Sequence, residues 1–342
     1  MNRIHSNTVE TTMKAAFIRE VGPPDHLIFD EVPTPSPATN QVLIRVGAVA
    51  VNPIDTYIRA GANYFTLPFP YIVGCDLAGT VVELGAGVTA FSVGDRVWGS
   101  NQGIFGRQGT FAEYAAVDGE WLFRTPHDVS DEAAAAQALV GITAHLGLFL
   151  RADLQPGETV LVNGGSGGVG STVIQMARAR GARVIATAGS EEKCDACREW
   201  GAELVIDYRE TDLEERVRGL APEGVDLFWD TTRNPDLERN VGLLARFGRM
   251  ILMAGRDARP PFPVGPFYSK SCTLLGLVMF AASAEQQRIC GEAISRDLAS
   301  GALAPRIDRV LPLAEAAEAH HVQEAATIHG RGGLFGKIVL RP

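Results

Sequence analysis

The sequence predicts an α/β protein in two parts: a β-rich first third, then a doubly wound parallel sheet with helices on both faces. Three observations predict it. From Lys14 to Trp98 the apolar residues fall in short runs separated by Gly, Pro, Asn and Asp, the punctuation of strands joined by turns. From Thr159 onward strand-like and helix-like segments alternate, which is the signature of a covered parallel sheet. Where the first of those strands passes into the first helix stands Gly165-Ser166-Gly167-Gly168-Val169-Gly170, a turn that brings backbone N–H groups to a helix start.

Taken in order, strands are predicted at Lys14–Arg19, Gln41–Val51, Ala78–Leu84 and Arg96–Trp98. The three prolines of Val32–Gln41 make that stretch a loop. Near Ser130 the texture changes to a run of strong helix formers, with Ser130 as N-cap and Asp131 and Glu132 as an acidic first turn. Gln155-Pro156-Gly157 is a turn. There follow a strand at Thr159–Asn163, a helix at Val169–Arg180 closed by Gly181, a strand at Arg183–Thr187, and a helix at Glu191–Trp200 closed by Gly201. Further strands are predicted at Leu204–Asp207, Leu227–Asp230, Met250–Ala254 and Leu274–Phe280. A helix at Ala284–Ser300, a strand near Arg306–Val310, a helix at Leu313–Glu324 and a last strand at Gly336–Leu340 complete the chain.

The 342 residues suit two domains, and 46% apolar against 21% charged residues is enough for packed cores. A net charge of −9 leaves no basic footprint for nucleic acid or anionic lipid. No stretch reads as a bilayer span, and MNRIHSNTVETTMKAAF lacks the apolar heart of a secretory signal. Residues before Met13 read as a polar tail. Five cysteines without a regular framework point to a reducing cytoplasm.

The glycine turn predicts a dinucleotide site held by Gly165, Ser166, Gly167, Gly168, Val169 and Gly170, with the pyrophosphate at the helix N-terminus. An NAD site usually carries an acidic residue at the tip of the second strand. Here that tip is Thr187-Ala188-Gly189-Ser190, with Lys193 one turn on and Tyr208 after the next strand. Gly189, Ser190, Lys193 and Tyr208 therefore point to NADPH, with Glu191 and Glu192 as counter-indications unless they face solvent.

Six pieces in order, VNPIDTYIRAG (51–61), GCDLAGTVVELGAGVTAFSVGDRV (74–97), GTFAEYAAV (109–117), SGGVG (166–170), TAGSEEK (187–193) and IDYRE (206–210), resemble the medium-chain dehydrogenase/reductase superfamily. The specific resemblance is to its zinc-free quinone oxidoreductase and zeta-crystallin branch. It implies a GroES-like catalytic domain (13–138 and 283–342) around a Rossmann NADPH-binding domain (139–282), preceded by a tail (1–12), with the active site in the cleft between them. It also implies that Asn52, Asp55 and Tyr57 line the catalytic site, Tyr57 beside the nicotinamide or substrate and Tyr64 at the mouth. For Asn52 and Asp55 a turn cap beside Pro53 is the competing reading. Thr143 resembles the family threonine facing the nicotinamide; a bond back to its own helical turn is the alternative. Asn234, Ala254, Gly255, Arg256, Val278, Met279 and Phe280 are implied as further cofactor contacts, at carboxyl ends of parallel strands.

Zinc-dependent relatives use Cys, His and an acid on these loops, but this chain reads Asn52-Pro53-Ile54-Asp55 and Gly74-Cys75-Asp76, and Val93 to Asp131 holds no cysteine. Cys75 reads as a small core residue. Cys194 and Cys197 read as helix packing or exposed thiols, and His320 and His321 as surface. The expected activity is NADPH-dependent reduction of a quinone, with an enone, enal or enoyl thioester as the alternative substrate. A zinc alcohol dehydrogenase and a non-catalytic NADPH-binding protein complete the alternatives. A homodimer or homotetramer, the dimer formed through Leu274–Phe280, is expected.

Overall fold

The computed structural model describes residues 11–62, 66–209, 212–331 and 333–342; Tyr64 lies outside them. The chain divides into two compact units. One comprises residues 1–139, 291–299 and 306–342, and the other residues 140–290 and 300–305.

The first unit is β-rich. Its larger sheet runs Ile307–Pro312, Lys337–Arg341, Gln41–Ala50, Leu77–Leu84, Arg96–Gly99 and Leu122–Arg124, with Tyr114–Asp118 also paired to Gln41–Ala50. Gln41–Ala50 is buried over most of its length, because this central strand has neighbours on both edges. The C-terminal strand Lys337–Arg341 pairs parallel to Ile307–Pro312 and antiparallel to Gln41–Ala50. That pairing brings the end of the chain to the turn at Asn52. A smaller sheet holds Thr12–Ile18 between Ile28–Pro33 and Tyr71–Ile72. Val32 and Pro33, expected in a loop, end the Ile28–Pro33 strand. Proline is tolerated there because the strand lies at a sheet edge.

The second unit is a six-stranded sheet in the order Leu204–Asp207, Arg183–Ala188, Thr159–Asn163, Val225–Asp230, Leu244–Leu252, Thr273–Gly276. Every pairing is parallel. Strand order reverses between Thr159–Asn163 and Val225–Asp230, the switch point at whose carboxyl side ligands of open α/β sheets bind. Leu161, Ile185, Phe228 and Val241 are wholly buried in its core, each contributing about 1.5–3 kcal/mol relative to exposure. The helix Gly168–Ala179 ends at Gly181, whose φ of 82° is the left-handed stop that the sequence predicts.

Three further expectations are corrected. The last strand ends at Gly276; the Leu277 N–H still bonds the Leu252 carbonyl at 3.0 Å, and a short turn at Met279–Ala281 follows instead of strand to Phe280. The run Asp131–Arg151 is long and apolar enough to cross a membrane by length and composition, but 78% of its most apolar window is buried in the protein, so it is a core helix. His320 is interior, 0% exposed, with its ring edge-on to Phe111 at 5.9 Å. Only His321 reaches the surface, paired with Asp25 at 2.8 Å.

Candidate active site

In the parallel-sheet unit the glycine turn is fixed by polar side chains at the strand ends. The Thr187 hydroxyl donates to Asn163 Oδ1 (2.9 Å) and accepts the Gly164 N–H (2.9 Å). Asn163 Nδ2 donates to Asp230 across the switch point (3.3 Å). Asp230, 1% exposed, also accepts from Asn240 Nδ2 (2.7 Å) and from the Thr232 N–H (2.8 Å) and hydroxyl (2.7 Å). A buried carboxylate so fully hydrogen-bonded makes a rigid platform. Sequence reasoning did not find Asp230 or Asn240, because their partners are brought together only by the sheet.

The turn itself leaves little room. A Cβ at Gly170 would stand 2.2 Å from the Gly164 carbonyl oxygen, and one at Gly165 2.9 Å from Ala186 Cβ. Gly167 differs. It caps the helix Gly168–Ala179 with no side-chain bond, and a Cβ there would meet only the Gly164 oxygen at 3.5 Å. The backbone thus presents a helix start with open space before it, flanked by Ser166, Gly168 and Val169, all half-buried. That is the shape a pyrophosphate requires.

At the tip of the next strand, Gly189 lies against the Tyr208 ring, whose hydroxyl a Cβ would meet at 2.3 Å. Ser190 caps the helix Glu191–Glu199 by accepting the Lys193 N–H (3.4 Å). Glu191 and Glu192 are exposed. A depression of about 480 Å³ opens at these strand ends, lined by Asn163, Gly164, Tyr208, Asp212, Thr232 and Arg239 among others. Arg239 is its one basic side chain among the described residues, and sequence reasoning missed it. The predicted contacts Asn234 and Arg256 are exposed beyond the strands Val225–Asp230 and Leu244–Leu252, with Ala254 and Gly255 between them in the chain. Gly255 has φ 79°, and a Cβ there would meet the Arg233 carbonyl at 2.5 Å. Val278 is 60% exposed, Met279 is buried and Phe280 is half-buried. Thr143 is buried in the helix Asp131–His145. Cys194 and Cys197 are buried, which favours packing over exposed thiols.

In the β-rich unit, Asn52, Asp55 and Tyr57 sit on one turn and the short helix Pro53–Arg59. Asp55 accepts the Asn52 N–H at 2.8 Å, the capping arrangement. Asn52 and Asp55 are 0% and 1% exposed, so Tyr57, half-buried, is the one of the three that reaches outward. The Asn52 amide is committed internally: its oxygen accepts from Lys337 Nζ (2.5 Å), and its nitrogen donates to Asp76 Oδ2 (2.8 Å). Lys337 Nζ donates also to the Val51 carbonyl (2.9 Å). Burial pushes Asp55 up to about 7, with the neighbouring Asp76 charge adding to the effect and Cys75, the Asn52 N–H and Lys337 opposing it. Burial likewise raises Asp76 and pulls Lys337 down. The Cys75 thiol is driven well above its ordinary range by burial, then by the two carboxyls, so it is an inert core thiol. Among the described residues no group of three or more His, Cys, Asp or Glu side chains is placed to hold a metal ion.

Two family models match, one described as alcohol dehydrogenase GroES-like domain over residues 38–127 and one as zinc-binding dehydrogenase over residues 168–293. The quinone oxidoreductase of Sus scrofa is 33% identical over 337 residues, 97% of this chain and 99% of that protein. This chain belongs to the quinone oxidoreductase branch of the medium-chain dehydrogenase/reductase superfamily. A 2-haloacrylate reductase from a Burkholderia species is 30% identical over 339 residues, covering 96% of this chain and 98% of its own. The crystal structure of the Escherichia coli quinone oxidoreductase complexed with NADPH superposes with a TM-score of 0.83 at 27% identity, covering 97% of this chain and all of that one (100%). The chain is thus an oxidoreductase of this family, with its GroES-like and Rossmann parts. The model whose description mentions zinc matches residues 168–293.

Proposed function

We propose that the protein reduces quinones with NADPH by direct hydride transfer and without a metal ion. The single observation that carries the cofactor choice is the strand tip Ala188-Gly189-Ser190. It offers no carboxylate to a ribose and closes on the Tyr208 ring, which also lines a depression with Arg239, Asp212 and Glu214. Gly165 to Gly170 would hold the pyrophosphate, with Ser190, Lys193, Tyr208 and Arg239 around the adenosine phosphate. Asn234, Ala254 to Arg256 and Val278 to Phe280 would flank the rest. When bound, NADPH supplies the hydride. Tyr57 orients the substrate oxygen, Asn52 and Asp55 hold the turn that carries it, and Thr143 faces the nicotinamide. A proton from water completes the two-electron reduction of a quinone to its hydroquinone. The metal-free reading rests on the positions where a zinc relative has ligands: here an amide, a buried thiol and a carboxyl are arranged around the Lys337 ammonium. The five cysteines form no disulfide, consistent with a reducing cytoplasm as the place of action.

A second substrate class has support from one relative. The Burkholderia protein named as a 2-haloacrylate reductase acts on an alkene conjugated to a carboxylate. Initial rates of NADPH oxidation by chelator-treated protein, with an ortho-quinone and a simple enone side by side, test both readings. Quinone turnover alone supports the proposal, enone turnover alone moves the reaction to alkene reduction, and turnover only after zinc is restored overturns the metal-free mechanism.

We further propose a homodimer. The strand Thr273–Gly276 ends the sheet with no neighbour on its outer side among the described residues, and Leu274 on it is 39% exposed. Such an edge is a template for a second copy across a two-fold axis. Leu274→Lys is expected to convert a dimeric mass in light scattering to a monomeric one. A monomeric wild type would overturn this.

A further inference from the structure

The helix Pro53–Arg59, which carries Tyr57, is pinned at both ends. At its C-terminal end Arg59, 1% exposed, pairs with Glu324. At its N-terminal end Asn52 is held by a side chain from the far end of the chain, Lys337, 285 residues away in sequence. Lysine rarely sits inside a protein unless it is paired, yet Lys337 is 7% exposed at the start of the strand Lys337–Arg341, followed by Ile338, Val339 and Leu340, which are wholly buried. Its ammonium meets the Val51 carbonyl and the Asn52 amide oxygen. An amide whose oxygen accepts from a cation can only turn its nitrogen to an acceptor, and here that acceptor is Asp76. The orientation of Asn52 is thereby fixed, and with it the first turn of the Tyr57 helix.

We infer that Lys337 is a positioning residue of the catalytic turn. Through Asn52 it sets the helix that presents Tyr57, and its positive charge allows Asp55 and Asp76 to share a dry site. This inference rests on the proposed role of Tyr57. The titratable groups facing the cluster are Asp55 from the helix, Cys75 and Asp76 from the segment before Leu77–Leu84, and Tyr71 from its own strand. Arg107 acts on Cys75 at longer range. Lys337 is thus the cation among two carboxyls, and both are drawn toward ionisation by it.

The test compares wild type with Lys337→Met, Lys337→Arg and the double variant Lys337→Met/Asp76→Asn, all full-length. Carbon-13 NMR of labelled aspartate follows the Asp55 and Asp76 carboxyls through a pH titration, and steady-state kinetics follow the acid limb of kcat/KM. In Lys337→Met the two carboxyl midpoints and the acid limb move up by about one pH unit or more. There kcat falls roughly tenfold to a hundredfold through misplacement of Tyr57, while NADPH affinity measured by fluorescence is unchanged. Lys337→Arg keeps the midpoints. Unmoved midpoints and an unmoved acid limb in folded Lys337→Met overturn the inference. If Lys337→Met does not fold, the double variant, which removes the uncompensated carboxylate, is read for kcat, and full activity there overturns it. A wild type without reductase activity defeats the proposed function alone, since the carboxyl titration needs no substrate.

Discussion

Gly170→Ala is expected to destabilise the parallel-sheet unit by about 2 kcal/mol and to weaken NADPH binding at least tenfold, about 1.4 kcal/mol. The obstacle to the new methyl group is backbone: the Gly164 carbonyl oxygen at 2.2 Å and Gly165 Cα at 2.9 Å. Neither can rotate away as a side-chain tip could, so the helix must lift from the turn. Lifting it would strain the hydrogen bonds that tie Gly164 and Gly165 to Thr187. Gly167→Ala is the control. Its φ of −74° is ordinary, and its Cβ direction is open apart from one oxygen at 3.5 Å, so stability stays within about 0.5 kcal/mol of wild type. Yet a methyl group there projects into the space before the helix start and should cost cofactor affinity as well. Denaturant melts and fluorescence titrations of the two variants separate the effects. If Gly167→Ala binds NADPH as wild type does, the open space at Gly167 is not where the pyrophosphate sits.

How far such a site can be read from sequence depends on how local its physics is. The glycine turn was legible because its spacing, the strand before it and the helix after it all fall within a score of residues. Leu204–Asp207 and Ala284–Ser300 have the predicted bounds for the same reason: apolar periodicity and Gly or Asp punctuation act between near neighbours. Asp230 and Lys337 were not legible as site residues, because their roles come from partners far along the chain. A clue was nonetheless present in GKIVL. A lysine at the start of a wholly apolar strand run needs a buried partner if that strand is central, and the partners are Val51 and Asn52. The surface reading of His320 failed similarly. Adjacent histidines on a helix point about 100° apart, and only the packing of Phe111 decides which one is interior. For Asn52 and Asp55 both sequence readings hold part of the answer: they do form the turn cap, and that cap is the base of the helix bearing Tyr57.

The stability of the wild type relative to Asp55→Asn should fall as pH rises from 5 to 7, by on the order of 2 kcal/mol. Asp55 is 1% exposed and, held at about 7, keeps its proton far above the ordinary carboxyl value of 3.8, chiefly because burial penalises the carboxylate. The geometry agrees. Asp55 Oδ1 and Asp76 Oδ1 find no hydrogen-bond partner, and one ammonium, Lys337, faces two carboxyls, so a proton on one of them leaves the cluster neutral. The sign follows from proton counting. Between the unfolded value near 4 and the folded value near 7 the native state binds the extra proton, so its stability declines with rising pH at up to about 1.4 kcal/mol per unit. The contribution is complete below pH 4 and gone above about 7. Asparagine has no proton to lose and contributes no such slope. The comparison between variants is necessary because His320 acts in the opposite sense. Burial first, then the Arg59 and His321 charges, lower it to about 3, so its contribution is present above about 6.5 and lost as pH falls toward 3. His320 is shifted by burial, Arg59 and His321 and not by Asp55, so it cancels in the difference, whereas Asp76 and Lys337 are coupled to Asp55 and the difference reports the proton of the whole cluster. Chemical denaturation of the pair at pH 5 and pH 7 measures it. An unchanged difference would mean that the buried cluster takes up no extra proton on folding in this pH range.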